Sequence, residues 1–224
     1  MTNITTDKKQ SINQFSAKSV IKAMFLSALL LTCFGILGTF SVSSVYKVTS
    51  PLIEKNIQKK LLQMLGSVIP ETIHDNNLLN STIEVAPSSL LSSKDKTTIY
   101  QAKLNNKVTA IAFKTTAPDG YSGNISLLVG VLKSGQITAI RVISHKETPG
   151  LGDKVDVERS EWIHSFEKTS LDTPDKAHWK VKKDGGYFDQ FTGATITPRA
   201  VVKAIYKALI YVDQHKQLLF ELNE

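Results

Sequence analysis

Cysteine is nearly absent: Cys33 is the only one in 224 residues. An intramolecular disulfide, a Cys-x-x-Cys redox pair and a thiolate metal cluster are therefore excluded, and any redox chemistry needs a cofactor. Histidine is sparse as well. The five, at positions 74, 145, 164, 178 and 215, form no His-Glu-x-x-His and no pair four residues apart, so no metal site is expected. No Gly-x-Ser-x-Gly elbow and no phosphate loop of the Gly-x-Gly-x-x-Gly or Walker type opens a helix, which removes the usual marks of serine hydrolases, dinucleotide enzymes and nucleoside triphosphatases. No catalytic residue is assigned. Only 12 Gly and 7 Pro occur, so the chain is neither collagen-like nor wholly disordered. Charge of one sign is in excess, with 27 Lys and Arg against 20 Asp and Glu. The basic residues are scattered and rarely interleaved with aromatics, whereas a nucleic-acid groove needs a clustered basic face with stacking side chains, so no nucleic-acid partner is expected.

Charge is missing altogether from Ala23 to Val45. At about 1.5 Å per helical residue this run reaches across a bilayer core. It is longer than the apolar part of a signal peptide, which ends at an Ala-x-Ala-like site, and it runs out through Ser-Val-Ser-Ser-Val-Tyr, so residues 23–46 read as an uncleaved transmembrane helix. Lys8, Lys9, Lys18 and Lys22 precede it with only Asp7 against them, which predicts a cytoplasmic tail over residues 1–22 and the rest of the chain outside. Lys47, Lys55, Lys59 and Lys60 on the far side oppose that orientation, although long domains translocate despite their charge.

Beyond the span, Ser50-Pro51 has the form of a cap followed by a first-turn proline, predicting an amphipathic linker helix over 50–66 that ends at Gly66. Ile53, Ile57, Leu61, Met64 and Leu65 give it one apolar stripe. Residues 67–224 read as one domain. Its first part, 70–96, is rich in Asn, Ser and Thr and holds at most short elements. Four strands are predicted at 98–103, 108–115, 125–132 and 137–144, with hairpin turns at Asn105-Asn106 and Lys133-Ser134-Gly135. A short helix follows at 160–166, with a further strand at 179–182. A long helix is predicted from Thr197-Pro198, burying Val201, Ile205, Ala208, Leu209 and Val212. The fold class is α+β: a mixed, mainly antiparallel sheet with flanking helices.

Two glycine-rich segments could carry function. His145 to Asp153 follows the last predicted strand, where two Gly and a Pro let the backbone approach a flat ligand or simply turn. Asp189-Gln190-Phe191-Thr192-Gly193-Ala194-Thr195 leads into the long helix, whose first turn offers free N–H groups and a positive dipole end to a phosphate. Thr192, Thr195 and Thr197 place hydroxyls beside it. Composition alone equally allows a hydroxyl-rich capping loop.

In this order, Ala117-Pro118-Asp119-Gly120-Tyr121-Ser122-Gly123, His145 to Asp153, Lys182-Lys183-Asp184-Gly185-Gly186 and Asp189 to Thr195 make the chain resemble the G subunit of the bacterial Rnf/Rsx electron transport complex, over most of its length. The resemblance implies an FMN-binding domain with FMN joined through its phosphate to Thr195 by a separate flavin transferase that takes FAD as donor. It also implies a bacterial inner-membrane protein whose domain faces the periplasm, with the other members of the complex and membrane lipid as partners. The activity implied is electron transfer coupled to ion translocation, performed as part of a complex and not as an independent catalyst. Thr192, Gly193, Ala194 and Asp189 come with the matching motif, while Glu147, Thr148, Gly150 and Leu151 would border the flavin ring, with Tyr121 and Ser122 nearby. Three other readings remain open at this point: the C subunit of a sodium-translocating NADH:quinone reductase, a non-redox envelope scaffold with a basic surface, and a self-contained flavin enzyme.

Overall fold

The computed structural model describes residues 17–221, which fall into two units, one up to Ile57 and one from Gln58 onward. Asp7, Lys8 and Lys9, on which the predicted orientation partly rests, lie outside the described residues.

In the first unit the chain is helical throughout, as part of α1 (Ala17–Val68). It contains one stretch long and apolar enough to cross a membrane, and none of that stretch is buried. Phe25, Leu31, Phe34 and Phe40 are all exposed, giving this candidate membrane span an apolar surface all round. Two of its threonine hydroxyls bond back within the helix: Thr32 donates to the Ala28 carbonyl and Thr39 to that of Gly35, both at 2.8 Å. The predicted new helix at Ser50 is not separate. Pro51 lies inside α1, where its ring removes one N–H and crowds the carbonyl four residues back, yet the helix continues.

The second unit begins with the last turns of α1. Gly66 does not end the helix; it runs to Val68, and the Ile69 N–H closes the last turn on the Leu65 carbonyl at 2.8 Å before Pro70 stops it. Burial supplies the reason. Leu65, Val68 and Ile69 are fully buried, while Ile53 and Ile57 of the predicted stripe stay exposed.

These residues cover one face of a five-stranded antiparallel meander, β1 (Thr82–Val85), β2 (Thr97–Leu104), β3 (Lys107–Gly120), β4 (Gly123–Leu132) and β5 (Ile137–Ser144), in sequence order. The covered face is made of small side chains, Ala102, Ala110, Ala112 and Ala139, with Leu128. Gly130 belongs with them: a Cβ there would lie 2.5 Å from the Val68 carbonyl oxygen, so only glycine lets the helix end settle on β4. Thr138 fixes it by donating to that same carbonyl at 2.5 Å. The opposite face alternates with the first along each strand and carries large residues, among them Ile111, Phe113, Leu127, Val129 and Ile140.

Onto this second face packs α2 (Ile196–Gln214), burying all five predicted positions, followed by α3 (Lys216–Phe220). Between β5 and α2 the chain is mostly single turns around an aromatic cluster in which Phe166 stacks on Phe188 at 4.3 Å and Trp162 meets Phe166 and Phe191 edge-on. The predicted helix at 160–166 is a 3-10 helix, Glu161–Phe166, capped by Ser160. The expected strand at 179–182 is reduced to a bridge between Val181 and Phe188, because Trp179 turns into the aromatic cluster and bonds the Ser170 carbonyl. The hairpin turns stand where expected: Asn105 and Asn106 take positive φ, as a type I′ turn demands.

Candidate functional site

Three loops meet at the N-terminus of α2. The first is the β3–β4 hairpin tip, Tyr121-Ser122. The second, residues 145–151, folds back on itself through the Leu151 and Gly152 N–H groups, which both donate to the Thr148 carbonyl. Gly150 supplies the left-handed residue of that turn, with φ +78°. The third is the turn Phe191–Ala194, closed by the Ala194 N–H on the Phe191 carbonyl at 3.2 Å, with Gly193 at φ +82°. Gly193 faces the second loop: a Cβ on it would touch Leu151 Cδ2 at 3.4 Å.

Between them lies a cleft of about 240 Å³ lined by Tyr121, Glu147, Thr148, Leu151, Gly152 and residues 193–197. Its rim is apolar and open to solvent, with Tyr121 70%, Leu151 43% and Ile196 48% exposed. Side chains of this kind left uncovered around a cleft suit a flat apolar ring. Its floor is the first turn of α2, which contains no acidic residue. The N-cap is Thr195, ahead of the predicted start at Thr197, and its hydroxyl caps nothing. Pro198, within the first turn, costs no intrahelical bond because N–H groups there have no helical partner.

The three threonines are placed differently. Thr192 is exposed and outside the cleft lining. Thr195 is half-buried and lines the cleft. Thr197 is fully buried, with its hydroxyl donating to Glu147 Oε2. Glu147, 5% exposed, also accepts from the Ser122 N–H through Oε1 at 2.9 Å, and its own N–H is held by His145 Nδ1.

Ion pairs from α2 fasten the end of β3 and the turn at 182–184. Arg199 holds Asp184 with two bonds of 2.6 and 2.5 Å, and Lys203 holds Asp119 at 2.7 Å. The hydrogen bond from the Arg199 guanidinium keeps the Asp184 carboxyl below the usual carboxylate range, and that from Lys203 does the same for Asp119.

Of the predicted site residues, Thr195, Gly193, Ala194, Glu147, Thr148, Leu151 and Tyr121 come together around the cleft. Ser122 reaches it only through its N–H to Glu147. Gly150 forms a turn, Thr192 stands outside, and Asp189 points away: its side chain pairs with Lys182 at 2.7 Å while its carbonyl accepts from Trp162 Nε1. Missing from the sequence-derived site were Gly152, Ile196 and the contact made by Thr197. The Thr-Pro pair at 197–198 reads as a cap, which hides both Ile196 and the inward turn of the Thr197 hydroxyl.

The donor set fits a phosphate-bearing flavin. The helix start offers N–H groups and an uncommitted hydroxyl, glycine keeps the backbone approach open, and apolar side chains flank the opening.

Comparison with known proteins gives two family matches, an FMN-binding domain over residues 120–210 and an RnfG N-terminal region over 16–68. The chain is 43% identical over 203 residues to the G subunit of the ion-translocating oxidoreductase complex of Aliivibrio fischeri, covering 91% of this chain and 97% of that one. It is 44% identical over 200 residues to the corresponding G subunit of Vibrio cholerae, covering 89% and 95%, and 41% identical over 203 residues to that of Pseudomonas aeruginosa, covering 91% and 95%.

Proposed function

Since the chain belongs to the family of G subunits of ion-translocating oxidoreductase complexes, we propose that it relays electrons within such a complex on an FMN esterified to Thr195. It is a flavoprotein member of an ion-translocating oxidoreductase complex, with an FMN-binding domain and one candidate N-terminal membrane helix. The matches to G subunits leave the quinone-reductase and scaffold readings unfavoured. The other proteins of the complex are its partners. A flavin transferase during maturation, membrane lipid around α1 and a periplasmic domain on the bacterial inner membrane belong to the proposal.

A single observation supports Thr195 as acceptor: among the three threonines of the segment, it alone both lines the cleft and leaves its hydroxyl uncommitted at a helix N-terminus. Attachment from FAD joins Thr195 Oγ1 to the flavin-side phosphorus and breaks the pyrophosphate bond. AMP leaves, and the hydroxyl proton passes to a base on the transferase. Bound FMN supplies the redox chemistry; this chain's residues hold it. The α2 N-terminus would meet the phosphate charge with its dipole, and the Tyr121, Leu151 and Ile196 side chains at the cleft would shield the apolar ring from water. A covalent link suits a carrier exposed to bulk solvent, because the cofactor cannot be lost by dissociation.

Thr195→Val removes the hydroxyl and keeps the shape. The full chain, expressed beside a flavin transferase, is expected to carry one FMN on the peptide containing Thr195, and the variant none. Covalent flavin retained in Thr195→Val would place the acceptor elsewhere.

A further inference from the structure

Glu147 has more to do than border a ring. It is a buried carboxylate whose two oxygens are both engaged, one by the Ser122 N–H at the β3–β4 hairpin tip and the other by the Thr197 hydroxyl in the first turn of α2. Two glycines make room for it. A Cβ on Gly152 would lie 2.6 Å from Glu147 Oε2 and 2.9 Å from Thr197 Oγ1, and one on Gly120 would lie 3.0 Å from Oε1. The carboxylate thus joins two walls of the cleft and its helical floor through contacts that no bulkier neighbour would allow.

We propose that the Glu147–Thr197 pair is a clasp that positions Thr195 for flavin attachment and withholds Thr197 from it. The proposal rests on Thr195 being the acceptor. Only Ile196 separates the two threonines, and both belong to the start of one helix. The difference between them is that Thr197 Oγ1 is committed to a buried carboxylate, whereas Thr195 Oγ1 is free at the cleft. A bond from a first-turn side chain to a buried anchor fixes the rotation of that turn, and therefore where the Thr195 hydroxyl and the neighbouring N–H groups point. Group transfer is steep in such geometry: misplacement by about 1 Å costs as much as a hundredfold. Glu147 acts here as a positioning residue and takes no part in the bond exchange.

The test uses the full chain expressed in cells with a flavin transferase, with flavin occupancy of the peptides containing Thr192, Thr195 and Thr197 followed over time by mass spectrometry. Glu147→Ala and Thr197→Val are each expected to slow attachment at Thr195 by roughly ten- to a hundredfold. Thr197→Ser, which restores a hydroxyl, recovers it, and the double variant is no slower than the slower single one, because both remove the same contact. In Glu147→Ala some flavin is expected on Thr197. A second measurement needs no flavin: amide exchange of the unmodified protein should rise in Glu147→Ala at the hairpin tip and the first turn of α2, leaving the sheet protected. Wild-type attachment rates in both single variants, losses that multiply in the double variant, or exchange that rises throughout the sheet would each overturn the clasp. Wild-type flavin on a residue other than Thr195 would overturn the acceptor reading, a result the exchange data do not depend on.

Discussion

Three threonines within six residues meet three environments, and a single neighbour accounts for much of the difference. Gly152 has to be glycine because its missing Cβ leaves the space through which Glu147 reaches Thr197. Gly152→Ala is therefore expected to drive the two oxygens apart and to destabilise the domain by about 1–3 kcal/mol, the usual cost of overfilling a packed site. Urea unfolding of the detergent-solubilised chain, followed by the fluorescence of Trp162 and Trp179, measures it; an unchanged midpoint would show that the loop yields without cost. At this scale the sequence was readable where function left a local mark. The run from Thr192 to Thr195 and the loop from Glu147 to Leu151 stand out as glycine-rich segments beside a helix start and a strand end, and residues of both line one cleft, the proposed flavin site. The Glu147–Thr197 bond joins positions 50 apart, and no pattern in either segment announces it.

Enrichment in Val, Ile, Thr and aromatic residues between turn signals marked the four long strands. Two other elements escaped. The 179–182 segment has strand-like residues, but Trp179 finds better burial among aromatic rings than a ladder offers. The end of α1 is set by the alanine-lined face of the sheet, so its last turns follow tertiary packing and pass through Gly66 despite its low helix propensity. Ion pairs from α2 hold the turn at Asp184 and the end of β3 at Asp119, and these depend on pH in a defined direction. Asp184 and Asp119 have carboxyl pKa values lowered by Arg199 and Lys203. A lowered folded-state value means that the stabilisation is complete above the ordinary carboxylate pKa of about 3.9 and is lost as pH falls through the lower folded-state value. Both pairs are exposed, so salt weakens them as well. In a carbon-detected NMR titration the Asp184 carboxyl is expected to titrate below the ordinary range in the wild type and to move up toward it in Arg199→Gln. A midpoint unmoved by the substitution would mean that the pair does not form in solution.

At the scale of the whole chain, the distinction between a candidate membrane helix and an α+β domain was readable from charge: a long uncharged run, then a chain dense in Lys, Asp and Glu. Orientation is harder, because four lysines precede the span and Lys47, Lys55, Lys59 and Lys60 follow it, so the positive-inside count is nearly balanced. The proposed arrangement puts the FMN-binding domain in the periplasm, and Cys33 makes the test clean. It sits within the apolar stretch of α1, where hydrocarbon would shield its thiol from a water-soluble reagent, so the wild-type chain serves as a blank. Asn124→Cys, exposed at the start of β4, is expected to react with a membrane-impermeant maleimide in intact spheroplasts, whereas Asn3→Cys should react only after lysis. The opposite pattern would turn the protein over and place the flavin on the cytoplasmic side, beyond reach of any periplasmic flavin transferase. It would also require the four lysines after the span to have outweighed those before it, a result that charge-reversing substitutions at Lys18 and Lys22 would leave unchanged.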